Sequence, residues 1–403
     1  MKRTVIYGFI IFLLVLFPSK GQTKTTYKDY GDAVNCVDFE AAYGMAKDST
    51  ERSLVEAFEA LYSGNPQKAE KLLLKNPYGE KYKQLLCEYY DRRGMWEDAN
   101  RTRSLSFRPT DYYIQLKEKA PRVFTIQKSD TIPIIKLNYA KTPFIEVQIN
   151  GKKKKMMIDT GCSMSVLSAK TAKECDIEIL DKKCLNLVDA NEKGRETGIG
   201  IVENIKIGEL TINKAPIIIQ NKIGVSFMGM KVAKMDGIIG WDIISKIRIT
   251  IDWPDKQVII EPTKERTALE SENLFWIKAP HVLMQTASGE PIRLLLDTGA
   301  NKTTFSAHAG PKMQQWMKGK GQMISFGIHS INREKIIKLK NVILQHNNQK
   351  INLPESSIDG TKNMDGFILL DGLLGNDILS KGKITIDSQA GFFHIAPADH
   401  PTE

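Results

Sequence analysis

Two short motifs occur twice in this chain, in the same order and at nearly the same spacing. Asp159-Thr160-Gly161 returns as Asp297-Thr298-Gly299, and Asp236-Gly237-Ile238-Ile239-Gly240 returns as Asp371-Gly372-Leu373-Leu374-Gly375. From Asp159 to Gly240 is 81 residues, and from Asp297 to Gly375 is 78. An internal repeat constrains a fold more than any local signal, and this period is far too long for a solenoid. The chain therefore reads as two copies of one domain, each bringing one carboxylate on a Gly-containing turn. Two carboxylates held face to face cannot both ionise cheaply, so such a pair keeps one proton between them.

The duplication extends beyond the motifs. Asn150-Gly151 and Ser288-Gly289 read as hairpin turns, each Gly eight residues before its Asp. Met156-Met157-Ile158 and Leu294-Leu295-Leu296 lead into the Asp, and Ile249-Thr250-Ile251-Asp252 recurs as Ile384-Thr385-Ile386-Asp387. Asp242 and Asp377 follow the second motif at matched positions and are expected to cap short helices. From about Ile132 onward, short β-rich runs are bounded by Gly, Pro, Asn and Asp. A polar stretch, 261–273, reads as the linker between copies. The expected division is 1–21, 22–128, 129–262 and 274–397, with 129–403 able to fold alone.

Residues 22–128 read as helical. Leu54, Ala57, Phe58, Leu61 and Tyr62 fall at helical spacing, and Gly64 and Ala69 recur thirty residues on as Gly94 and Ala99. This Gly-x4-Ala pattern resembles a tetratricopeptide-type hairpin, which would dock a protein partner; a plain helical bundle or cap is the alternative. Residues 1–21 read as a secretory signal, with Lys2 and Arg3 before an apolar run from Val5 to Phe17. That run is shorter than the ~20 residues of a spanning helix, so no stable membrane insertion is expected. An exported chain, periplasmic or secreted in the bacterial manner, is the resulting expectation.

The 403-residue chain carries a formal charge of +10, scattered apart from Lys152 to Lys155. That run is read as a solvated loop, so no nucleic-acid partner is expected. Five cysteines leave at least one unpaired, and their spacing fits no zinc pattern, so neither metal nor cofactor is expected. Cys175 and Cys184 are close enough in sequence to pair. A thiol nucleophile at Cys162 lacks support, since the second copy has Ala300 there and none of the six histidines falls inside the first copy.

With its two Asp-Thr-Gly motifs, each preceded by an apolar strand and followed by a hydrophobic-hydrophobic-Gly stretch, the chain resembles the retropepsin-like and pepsin-like aspartic peptidases from about residue 130 to 397. The resemblance implies a mainly β fold of two tandem retropepsin-like β-barrel lobes forming a pseudo-dimer, with Asp159 and Asp297 as the catalytic carboxylates. It implies that Thr160 and Thr298 hydrogen-bond across to the opposite loop, and that Ile238-Ile239-Gly240 and Leu373-Leu374-Gly375 thread beside the Asp in ψ-shaped loops. Gly161 and Gly299 leave room for two backbones to approach. The implied reaction is water-driven hydrolysis of a polypeptide substrate, by an aspartic endopeptidase that uses no metal and no covalent intermediate.

The chain departs from the family at several points. Retroviral-type enzymes pair an Asp two residues after the motif Gly with an Arg after the second motif. Here the Asp sites hold Ser163 and Asn301, and the Arg sites hold Trp241 and Asn376. Cys162 is also unusual after the motif Gly. The hairpins expected to close over substrate are 189–200 and 326–335. Two other readings of the same residues are a catalytically silent peptide-binding module and lobes that pair between chains.

Overall fold

The structure, a computed structural model, describes residues 26–103, 111–135, 142–188, 194–221, 223, 226–227, 230–231, 235–265, 272–326, 331–347, 349–360 and 364–397. The residues expected to form a signal, 1–21, lie outside these.

Each copy is built around a strongly curled eight-stranded sheet. In the first lobe the strand Leu210–Gln220 pairs with both Val166–Ser168 and Gly194–Ile207, which folds the sheet back on itself. The second lobe curls likewise, with Pro280–Thr286 pairing to both Pro291–Leu296 and Ile331–His346. The Asn150-Gly151 turn holds both residues at positive φ, 47° and 77°, which sets the tight reversal between Phe144–Ile149 and Lys152–Ile158. Lys152 to Lys155 lie on that second strand, not in a loop. Lys152 and Lys153 pair on the surface with Asp176 and Glu146, each at 2.8 Å.

A third, five-stranded sheet joins the lobes. Its centre is the repeated Ile-Thr-Ile-Asp segment: Arg248–Asp252 lies antiparallel to Gly382–Asp387, with Thr250 opposite Thr385 and their hydroxyls 2.9 Å apart. Two copies of one sequence meeting antiparallel at matched threonines place a pseudo-two-fold axis there. Ile249, Ile251, Ile384 and Ile386 are buried around it. One apolar core runs through both lobes and this sheet.

The N-terminal helices form two hairpins, Ser49–Tyr62 with Pro66–Lys75 and Lys83–Arg93 with Trp96–Arg101. Gly64 and Gly94 turn between them at φ 74° and 73°, and Ala69 and Ala99 are fully buried at the helix crossings. Their core does not stop at the helices. It continues into Ile277, Phe367, Ile368 and Leu370 of the second lobe. The rings of Phe58 and Phe367 sit 4.7 Å apart, and Tyr62 stacks on Phe275 at 4.9 Å. Arg93 donates to the carbonyls of Trp276 and Ile277 at 2.8 and 2.9 Å, with its guanidinium between the rings of Tyr89 and Trp276. The strand Val123–Thr125, within the stretch expected to be helical, pairs with Leu210–Gln220 of the first lobe. Among the described residues no helix is long and apolar enough to cross a membrane.

Candidate active site

Each motif Asp stands at the end of a strand paired in parallel with the second motif, which is itself held between that strand and the one that follows the Asp turn. Gly237–Ile239 runs parallel to Met156–Ile158 and antiparallel to Val166–Ser168. Gly372–Leu374 runs the same way beside Pro291–Leu296. The amide of Asp159 donates to Ile239 O and that of Asp297 to Leu374 O, both at 3.0 Å. The threading leaves no space for side chains at its ends: a Cβ on Gly372 would lie 2.2 Å from Thr304 O, and one on Gly240 would lie 2.7 Å from Cys162 O.

The lobes meet through the two threonines. Thr160 N donates to Thr298 Oγ1 at 3.1 Å, and Thr298 N to Thr160 Oγ1 at 3.0 Å. Each hydroxyl then donates onward across the lobe boundary, Thr160 to Leu296 O at 2.7 Å and Thr298 to Ile158 O at 3.0 Å. Because these bonds are reciprocal and buried, they fix the two Asp turns in register.

This register brings Asp159 and Asp297 together within one chain. Their side chains lie close enough to perturb each other's ionisation. Each carboxylate rests against the Gly of the opposite motif: a Cβ on Gly161 would sit 2.5 Å from Asp297 Cγ, and one on Gly299 would sit 2.5 Å from Asp159 Oδ2. Asp159 Oδ1 accepts from Gly161 N and Cys162 N, and Asp297 Oδ1 accepts from Gly299 N and Ala300 N. Burial pushes Asp159 well above the ordinary carboxylate range, with the charge of Asp297 as the next cause. Burial also raises Asp297, opposed by the amides of Ala300 and Gly299. Facing carboxyls of this kind titrate as a pair rather than one by one. Burial and then the charge of Asp159 push the Cys162 thiol far up, so it stays protonated, its Sγ donating to Met164 O at 3.0 Å.

Asp242 does not cap a helix as expected. The short helix Trp241–Ile244 starts after Gly240 without a side-chain cap. Asp242 Oδ1 instead accepts from Ser165 N at 2.8 Å and Ser165 Oγ at 2.7 Å, and that hydroxyl accepts from Gly240 N at 3.0 Å. Asp377, Thr303 and Gly375 repeat the arrangement in the second lobe. A turn that must stay close to a neighbouring loop gains more from this bond than a one-turn helix gains from a cap. Ser165 and Thr303 were missed as site residues, although a hydroxyl six residues after each motif Asp was there to be read.

Where retroviral-type enzymes pair Asp with Arg, other contacts serve. Trp241 is buried and packs edge-on against Trp276 at 5.7 Å, while Asn376 Nδ2 donates to Thr142 Oγ1 and Thr298 O. The hairpins expected to close over substrate are the ends of long antiparallel pairs, Glu178–Val188 with Gly194–Ile207 and Met317–Phe326 with Ile331–His346. Their tips, 189–193 and 327–330, lie outside the described residues. Cys175 forms no disulfide, so the expected pairing with Cys184 is not made. Among the described residues no group of His, Cys, Asp and Glu is arranged to hold a metal ion.

Residues 145–245 match the family model described as "gag-polyprotein putative aspartyl protease", and residues 279–387 match "Retroviral aspartyl protease". The chain is a tandem retropepsin-like protein. Among curated proteins, Protein DDI1 homolog 2 of mouse is 26% identical over 216 residues, covering 52% of this chain and 50% of that protein. The human Protein DDI1 homolog 2 matches with the same identity and shares. DNA damage-inducible protein 1 of the fungus Chaetomium globosum is 25% identical over 119 residues, 29% of this chain and 24% of that protein. The match thus spans about half the length of the vertebrate relatives. These relatives come from eukaryotes, which have no bacterial periplasm. That overturns the expectation of a signal peptide and a periplasmic or secreted chain. A basic end and an apolar run are a compositional signal, and composition alone does not fix an address.

Proposed function

We propose that this retropepsin-like chain is an aspartic endopeptidase acting on polypeptides, with Asp159 and Asp297 as its single catalytic pair. The observation that carries the reading is the reciprocal Thr160–Thr298 lock, which holds two carboxyls, Asp159 buried and Asp297 half-buried, each against the opposite motif glycine inside one chain. With one proton between them, one carboxylate takes a proton from a bound water as it attacks the peptide carbonyl. The other carboxyl gives its proton to the carbonyl oxygen. Collapse of the tetrahedral intermediate then breaks the C–N bond and protonates the leaving amine. An extended substrate would lie between the lobes and pair with the closing hairpins.

A silent binding module has no use for two carboxylates forced together at the cost of burying them. Lobes that pair between chains would leave the intramolecular threonine lock unexplained. The test is incubation of the full chain with a mixed peptide library across pH 3 to 8, with products sequenced. Asp159→Asn and Asp297→Asn should each abolish cleavage, and the double variant should lose no more than either alone. A statine-type mimic of the tetrahedral intermediate should inhibit, while chelators should not. Cleavage at the full rate by Asp297→Asn would refute the paired mechanism.

A further inference from the structure

Asp242 is reached from two sides. Its Oδ1 is committed to Ser165, and through Ser165 Oγ to the amide of Gly240. Its Oδ2 faces Arg122 Nη2 at 3.5 Å, and Arg122 Nη1 lies 3.5 Å from the Asp242 carbonyl. Both side chains are almost fully buried, 4% and 2% exposed. Arg122 does not belong to the lobe sheet proper. It sits between the last N-terminal helix, Tyr112–Lys119, and the strand Val123–Thr125, with its guanidinium 5.3 Å from the Trp96 ring. Its backbone is left-handed, φ 53°, and its amide is tied to Lys214 O at 3.2 Å. In the second lobe, Asp377 accepts from Thr303 Oγ1 on one oxygen and from Thr303 N on the other.

We propose that Arg122 is a positioning residue for Asp159, acting through Asp242 and Ser165, so that the N-terminal helical region is a working part of the active site. This rests on the peptidase reading above. The path is short. Ser165 closes the turn that begins at Asp159, and Gly240 follows Ile239, whose carbonyl takes the Asp159 amide. Without the guanidinium, the buried Asp242 carboxylate loses the cation paired to its Oδ2 and is free to turn, and its grip on Ser165 loosens. The Asp159 turn then drifts relative to Asp297. A displacement of about 1 Å at a reacting group costs on the order of 100-fold in rate.

The experiment measures kcat and KM separately for the full chain carrying Arg122→Lys, Arg122→Met, Ser165→Ala and each Arg122 change combined with Ser165→Ala, with Asp297→Asn as the dyad control. Arg122→Met should lower kcat about 10- to 100-fold with KM changed less than about threefold, and Arg122→Lys should recover part of the loss. On the Ser165→Ala background, either Arg122 change should cost less than about threefold more, because the path is already cut. Should Arg122→Met fail to fold, the Arg122→Lys and Ser165→Ala pair carries the same cycle. Full kcat in the Arg122 variants, or losses that multiply with Ser165→Ala, would overturn the proposal while an inactive Asp297→Asn left the peptidase reading intact. A wild-type chain that cleaves nothing would instead bring down the peptidase reading, and this proposal with it.

Discussion

Thr160→Ala tests the lock that sets the two carboxyls in contact. The Thr160 hydroxyl donates to Leu296 O at 2.7 Å and accepts from Thr298 N at 3.0 Å. Leu296 is 0% exposed and Thr298 2%, so neither orphaned group reaches solvent. Each buried polar group left unpaired costs about 1–3 kcal/mol, which makes the expected loss about 2–6 kcal/mol for the pair. Thr160→Ser keeps the oxygen and loses one methyl, at a cost of about 0.5–1.5 kcal/mol. The assay is urea unfolding of the full chain, followed by tryptophan fluorescence, with kcat measured on the same preparations. Thr160→Ala should unfold at clearly lower urea than Thr160→Ser and lose on the order of 100-fold in kcat, since the carboxyls are no longer held in register. An alanine variant matching wild type in both readings would show that the hydroxyl pair does not hold the lobes. A serine variant as damaged as alanine would show that methyl packing, not hydrogen bonding, carries the effect.

Three further outcomes are expected. Both dyad carboxyls are raised in the folded chain, chiefly by burial, so the folded state holds protons that the unfolded chain releases. Their contribution to stability is complete below the ordinary carboxylate pKa of about 4 and is lost as pH rises through the folded value; Asp159→Asn should therefore melt above wild type at pH 7, with the difference shrinking below about pH 4. Equal melting curves at pH 7 would contradict a strained dyad. Gly372→Ala puts a Cβ 2.2 Å from the Thr304 carbonyl, where only backbone can yield, and should cost at least about 1–3 kcal/mol and disrupt the second lobe, readable by hydrogen exchange along Pro291–Leu296. A chain beginning at Ser129 tests the proposed division at 128/129: it exposes Phe367 and Ile277, which the helices now bury, and removes Arg122, so it should bind dyes for apolar surface and cleave peptides more slowly than the full chain. Cleavage at the full rate would show the helices to be dispensable to the dyad.

Much of this protein could be read along the chain because its essential parts are duplicated. Two Asp-Thr-Gly turns, two hydrophobic-hydrophobic-Gly strands and two Ile-Thr-Ile-Asp segments state the architecture without any coordinates. A motif needed twice and found twice at 81 and 78 residues leaves few folds open. The Asn150-Gly151 turn was legible for a local reason, since few residue pairs accept two positive φ angles. The glycines were legible as types, though the distances that make Gly372 and Gly240 irreplaceable were not.

What only the tertiary structure decided is who meets whom across the chain. A capping Asp and a loop-bracing Asp look the same in sequence; Asp242 became a brace because Ser165, 77 residues away, arrives within 2.7 Å. The same is true of the helices. Their periodicity announced an apolar face, but periodicity carries no address. Only packing shows that this face continues into Phe367 and Ile277, and that Arg122 reaches the buried carboxylate of Asp242. Local chemistry is written in neighbouring residues, whereas a contact over 120 positions is settled by the burial of whole surfaces, to which every residue contributes and which none specifies alone.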